Sequence, residues 1–290
     1  MVDFPAFTET PFTGYEGTWV SVPPRNVVPK PKQKPHPPLW VACSARDTID
    51  KAARGGVGAL SFSFISFDEA KEWVESYYRV LASDECVPIG RAVNPNFSVV
   101  LPFMCAPDEQ TALDRGLDGA RFFAHSFMHY FMLGEHTPGH TDLGEGFAQM
   151  RAMMEMASSG ETEMDPAMVA QIDSLRRGIG SPEQLREVIR GYEAAGVDQI
   201  IFQAQIGNNK HEHIMEALEL FAREVMPEFV ERRPAIEAAK AERLAGPICE
   251  ALSRIEIPVK DVSDYVIMPE MEGVELDEEQ SQQVGALNVP

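Results

Sequence analysis

A strand, a glycine-stopped helix and a second strand follow one another twice in this chain, and that alternation leaves few folds open. In "LWVACSARDTIDKAARGGVGALSF", Leu39–Cys43 is a short apolar run with an aromatic and a β-branched member, the mark of a buried strand. The spacing predicts a helix over Asp47–Arg54, capped by Ser44 or Asp47, with Ile49, Ala52 and Ala53 as its apolar stripe and Gly55-Gly56 as its stop. Val57–Phe62 is the second strand. A strand that returns through a helix runs parallel to the one before it, so the unit requires a parallel sheet. A further helix, Phe67–Leu81, continues the alternation, with Asp68 and Glu69 in its first turn and Trp73, Tyr77 and Leu81 on one face.

The second unit is "IGSPEQLREVIRGYEAAGVDQIIFQAQIG". Ser181 is placed as an N-cap, Pro182 suits the first helical position and Gln184 completes a capping box. Leu185, Val188, Ile189 and Tyr192 form the buried face, Gly196 stops the helix, and Gln199–Gln203 is the next strand. Helix Glu212–Val225 follows, with Ile214, Leu218, Phe221 and Val225 turned inward and Pro227 closing it.

The region between the units is less regular. Phe97–Met104 is a strand whose Pro102 points to an edge position. Asp108–Leu133 is helical, residues 134–147 form a loop, and Gln149–Val169 is helical with an acidic break. Upstream, Pro29, Pro31, Pro35, Pro37 and Pro38 fix an extended, solvated arm that delivers the chain to its first strong strand. After Pro234 a weak helix gives way to an acidic tail that reads as mobile.

Charge narrows the partners. Lys+Arg number 25 against 45 Asp+Glu, a net charge of -20 with no basic stripe, which argues against nucleic acid or an anionic membrane surface. Cys43, Cys86, Cys105 and Cys249 are scattered without CxxC spacing and read as reduced thiols, not zinc ligands or disulfides. The first residues show no signal-peptide pattern and no apolar run reaches membrane-spanning length, so the expectation is a soluble, cytoplasmic protein.

The ordered series "FTGYEGTWVSVPPRNVVPKPKQKPHPPLWVACS", "AARGGVGAL", "IGSPEQL", "YEAAGVDQIIFQAQIG" and "HEHIMEALELFAREVMPEF" resembles the luciferase-like monooxygenases over Phe12–Phe229. The resemblance implies an α/β chain of the TIM-barrel class, forming the C-terminal part of a (β/α)8 barrel. The arm occupies residues 1–38 and the barrel part 39–230, with a helical insertion at about 97–178 between the second and third barrel strands. Residues 231–290 are the weak helix and tail. The family's earlier strands would precede Phe12. The expected half barrel is therefore a truncated form, or it is completed by a second copy or by a partner supplying those strands.

In function the resemblance implies a flavin-dependent monooxygenase that uses O2 and reduced FMN, supplied by a separate flavin reductase, on a small apolar organic substrate. An F420-dependent oxidoreductase of the same superfamily is the alternative. A non-catalytic half barrel acting as an assembly partner is the rival from another class. The family's catalytic base has no matching position, so no catalytic residue is assigned.

Barrels of this type carry function at the C-terminal ends of their strands. That selects Ser44 and Arg46 after the first strand, Ser63 and Phe64 after the second, and Gln203 and Gln205 after the last. Ser44 and Arg46 suit a flavin phosphate at a helix N-terminus, or else Ser44 caps the helix and Arg46 is solvated. Ser63 joins this cofactor set, Gln203 and Gln205 suit the edge of the isoalloxazine ring, and Phe64 suits a substrate pocket. His125 and His129 in "HSFMH" share a helix face, with His136 and His140 beyond. Ser126 stands where an HExxH zinc site has its glutamate, so no metal is expected and the pair is assigned to the substrate side. The methionines from Met150 to Met168 read as soft packing against Phe122, Phe123, Phe127 and Phe131, with an adaptable lid over an apolar pocket as the alternative.

Overall fold

A computed structural model describes residues 5–62, 65–133, 135–158, 174–256 and 261–266. The chain divides into two compact units, one essentially Pro31–Glu256, the other Phe4–Lys30 with Ile257–Pro290. In the smaller unit, helix α1 (Pro5–Thr8) precedes an antiparallel hairpin of β1 (Tyr15–Glu16) and β2 (Ser21–Val22). Lys30 Nζ donates to the carbonyls of Ala6 and Glu9, and Trp19 stands at the hairpin turn, 93% exposed.

The larger unit is built on four parallel strands in the order β3 (Trp40–Cys43), β4 (Gly58–Phe62), β5 (Phe97–Pro102) and β8 (Gln199–Gln203). Helices α2 (Arg46–Arg54) and α3 (Phe67–Leu81) follow the first two strands. After β5 come the short β6 (Met104–Cys105), α4 (Glu109–Met128), a π turn over His129–Leu133 and α5 (Leu143–Ser158). The chain returns through β7 (Ile179–Gly180), parallel to β6, into α6 (Pro182–Ala194), β8, α7 (His211–Glu224) and α8 (Met226–Ser253). Leu39–Cys43 and Gln199–Gln203 thus belong to one parallel sheet, as the two sequence units require.

Alternation along the strands sorts the side chains into two faces. Cys43, Ala59, Phe97, Val99 and Leu101, with Ile200 and Phe202, pack beneath the helices against Ile49, Val74, Tyr77 and Leu81. The paired residues one step along, Trp40, Ala42, Leu60, Ser98, Val100 and Ile201, occupy the other face. There the edge strands are open, with Trp40 and Ile201 each 38% exposed, while β5 is buried throughout.

Several local readings change. Pro102 lies not at a sheet edge but opposite Gln203 in an inner strand; as the last residue of β5 it costs the ladder little. The helix after it begins at Glu109 with Asp108 as its N-cap, as expected. Leu218, expected to face inward, is 43% exposed, because α7 buries Ile214 and Ala217 instead. Pro227 opens a new helix of 28 residues that runs through Pro234 and Pro247, where a weak helix was expected. Helix α5 begins at Leu143, inside the expected loop, and the acidic tail from residue 267 lies outside the described residues, as do Met164 and Met168. The arm is also less solvated than its prolines suggest. His36 is 5% exposed, its Nδ1 donating to the Pro37 carbonyl at 2.8 Å and its Nε2 accepting from Arg91 N–H at 2.9 Å.

The N-terminal ends of the strands are tied together by a partly buried polar network. One Asp198 carboxylate oxygen accepts from Tyr78 O–H and from Phe97 N–H at 2.7 Å. The other takes Lys240 Nζ at 2.8 Å, and the same ammonium reaches Asn96 Oδ1. Burial and the neighbouring carboxylate push the Tyr78 hydroxyl above its ordinary value, so it remains a donor. Arg243 lies over the Tyr78 ring, 4.8 Å from its centroid. Helix α8 is thereby pinned to the strand ends away from the expected site. Asp198→Ala leaves these donors without a shared acceptor and lowers unfolding free energy by about 3 kcal/mol in urea titration, against about 1 kcal/mol for Tyr78→Phe.

Candidate functional site

All four strands point the same way, so their C-terminal ends form one shelf. At one end of it β3 stops at Cys43, whose thiol faces the core and is pushed by burial up to about 11. It is no nucleophile. Ser44 and Arg46 follow, both exposed. The N-cap of α2 is Ala45, in extended conformation and without a side-chain cap bond, so Ser44 does not cap the helix. The first-turn Asp47 is engaged by Lys51 at 3.0 Å, which holds its carboxyl below the usual range. An uncapped helix start and the exposed residues Ser44 and Arg46 thus stand together in sequence at the end of β3, groups of the kind that bind an anion.

Ser63 and Phe64 lie outside the described residues. The chain resumes at Ile65, and its carbonyl is held from two sides. Arg177 Nη1 donates to it, and the Tyr192 hydroxyl donates to it at 3.4 Å. Arg177 also stacks over the Phe67 ring, 5.7 Å from the centroid, and Phe67 meets Tyr192 edge to face at 4.8 Å. This clamp fixes the exit of the β4 loop. The sequence reading missed Arg177, because a single arginine in "SLRRGIG" has no periodic or motif signal. The next residue, Gly178, has no room for a side chain, since a Cβ there would come 1.8 Å from the Pro102 carbonyl oxygen.

At the other end of the shelf, Gln203 is half-buried and Gln205 exposed. Their loop rests on α4, backbone against backbone. Gly207 has φ +53, and a Cβ on it would lie 2.7 Å from the Gly119 Cα. With β4 and β5 between them, β3 and β8 lie about 14 Å apart, so Ser44–Arg46 and Gln203–Gln205 bracket the shelf without touching.

His125 and His129 form a separate cluster. His125 packs 5.8 Å from the Phe147 ring, and His129 Nε2 lies 3.3 Å from His136 Nδ1. Among the described residues no group of three or more His, Cys, Asp or Glu could hold a metal ion. No helix among them is long and apolar enough to cross a membrane.

Two outcomes test this description. Arg177→Ala loosens the β4 loop, seen as faster limited proteolysis near Ile65 and a stability loss of about 1–2 kcal/mol. Partial burial, then the charge of His129, lowers His125 from its ordinary 6.5. The folded state therefore binds this proton less readily than the unfolded chain does. Its contribution to stability is complete above that value and is lost as pH falls below it. His125→Gln flattens the dependence of Tm on pH between about 5 and 7.

The uncharacterized protein y4vJ of Sinorhizobium fredii (strain NBRC 101917 / NGR234) is 22% identical over 216 residues, 73% of this chain and 55% of that protein. An F420-dependent secondary alcohol dehydrogenase, solved with an F420-acetone adduct, superposes with a TM-score of 0.50 at 13% identity, covering 77% of this chain and 58% of its own. The monooxygenase RslO1 from Streptomyces bottropensis gives 0.49 at 20% identity, covering 78% and 58%. The chain thus spans little more than half the length of these proteins. The profile of the luciferase-like monooxygenases matches residues 5–199, and on that match the chain belongs to the luciferase-like monooxygenase family.

Proposed function

We propose that the strand-end shelf holds FMN and that the assembled protein oxygenates a small apolar organic substrate, drawing reduced flavin from a separate reductase. The observation that carries this reading is the start of α2. Its first turn has no side-chain cap, and Ser44 and Arg46 are exposed beside it. Those groups suit the flavin phosphate, with the guanidinium able to meet two of its oxygens. Gln203 and Gln205, at the far side of the shelf, carry amides that donate and accept, as the ring edge requires. Bound reduced flavin supplies the oxygen chemistry. The chain's own contribution is to anchor the cofactor. His125, beside Phe147, and His129 belong to the substrate side in this reading. F420 is the alternative occupant, and a half barrel that binds neither is the non-catalytic reading.

Titration of the purified chain with FMN tests the proposal. Quenching of flavin fluorescence is expected, and Arg46→Ala should weaken binding about tenfold, the loss of one charge-assisted contact. FMN-dependent oxygen consumption driven by a flavin reductase and NAD(P)H supports the monooxygenase. Reduction of F420 by an alcohol without oxygen uptake supports the alternative. Absence of binding by both cofactors overturns the reading.

A further inference from the structure

The turn after α4 brings together two histidines that the cofactor shelf does not use. His129 opens the π turn, and His136 stands seven residues further along the chain. His129 Nε2 and His136 Nδ1 face each other at 3.3 Å, with ring centroids 5.5 Å apart and ring planes at 76°. A neutral imidazole carries a lone pair on one ring nitrogen and an N–H on the other. Two lone pairs aimed at each other repel, so something positive belongs between them, either a proton on one nitrogen or a cation bound by both. As a hydrogen bond 3.3 Å is long, since N–H donors sit about 2.9–3.0 Å from their acceptors. For a metal it fits. An ion about 2.0–2.1 Å from each nitrogen, in tetrahedral geometry, sets the two nitrogens about 3.3–3.4 Å apart.

The surroundings hold the pair in place. Tyr130 touches both rings, meeting His129 edge to face at 5.3 Å and His136 at 5.0 Å, so one aromatic side chain braces the two. A π turn is a rare departure from helix geometry that recurs at functional positions, and here its first residue is one of the two histidines. His129 is half-buried and His136 exposed, which leaves an ion a path from water. The net charge of -20 draws cations toward the chain.

We propose that His129 and His136 bind a divalent transition-metal ion, Zn2+ by the fit of the distance, with water completing its shell. This is not the HExxH arrangement that Ser126 excludes. His125 takes no part, because its ring packs against Phe147. Imidazole nitrogens suit Zn2+, Ni2+ and Cu2+, whereas Mg2+ and Ca2+ take oxygen ligands. The bound ion staples the π turn to the chain beyond it, on the insertion between β6 and β7. The site does not depend on the flavin reading.

Calorimetric titration of the metal-free chain with Zn2+ at about pH 7.5 tests the proposal. One Zn2+ per chain is expected, and the NMR ring signals of His129 and His136 move together on its addition. His129→Ala and His136→Ala each weaken binding at least about tenfold, with unchanged far-UV circular dichroism. His211→Ala, at the exposed start of α7, leaves binding intact. Mg2+ does not displace the ion. Binding fades as pH falls toward about 5, because the imidazoles must shed their protons before they can ligate. Absence of Zn2+ binding by the wild type overturns the proposal and leaves a shared proton between the rings. Zn2+ binding that survives loss of both histidines, or that His211→Ala weakens equally, overturns it as well.

Discussion

Parallel pairing of β3, β4, β5 and β8 is the constraint from which the rest follows. A parallel strand cannot be followed by a hairpin, so each strand is joined to the next through helices, and these cover one face of the sheet. That face acquires the core around Tyr77, Phe97 and Leu101. The same connectivity gathers every strand exit at one rim. Ser44, Arg46, Gln203 and Gln205 share that rim through topology, although more than 150 residues of sequence separate the first from the last.

What could be read in the sequence was local. The capping box at Ser181 and Gln184 stands as expected, with Ser181 Oγ accepting from Gln184 N–H. Period and punctuation also located β3, α2, β4 and β8, because each is bounded by proline or glycine and carries its own apolar pattern. Failures arose where tertiary context decides. Pro102 reads as an edge residue by its missing N–H, yet its place in the ladder depends on where β5 ends, which only pairing with Gln203 reveals. Leu218 fits the inward stripe of α7 by spacing, but the width of the buried stripe is set by what α7 packs against. Ser66, whose capping box with Glu69 opens α3, went unread although "SFDE" is a recognisable start.

The candidate site was legible by position and not by chemistry. Strand ends identify Ser44, Arg46, Gln203 and Gln205, but no motif there separates a ligand from a solvated side chain. The structure adds the missing cap at Ala45, which a sequence containing Ser44 and Asp47 does not suggest. Arg177 shows the opposite case. Its role depends on Ile65 and Tyr192, which approach it only after the chain has left the sheet and returned.

The polar network of Asp198, Tyr78 and Lys240 lies at the strand entrances, opposite the rim that carries the candidate site. The polar network and the candidate site thereby fall at different ends of the same strands. Residues at the exits can drift under selection for a new ligand while the entrances hold the scaffold together. Diversification of the turn after Cys43 is accordingly inexpensive in folding terms, whereas the loop after Gln203, seated on α4 at Gly207 and Gly119, and the entrance residues tolerate little change.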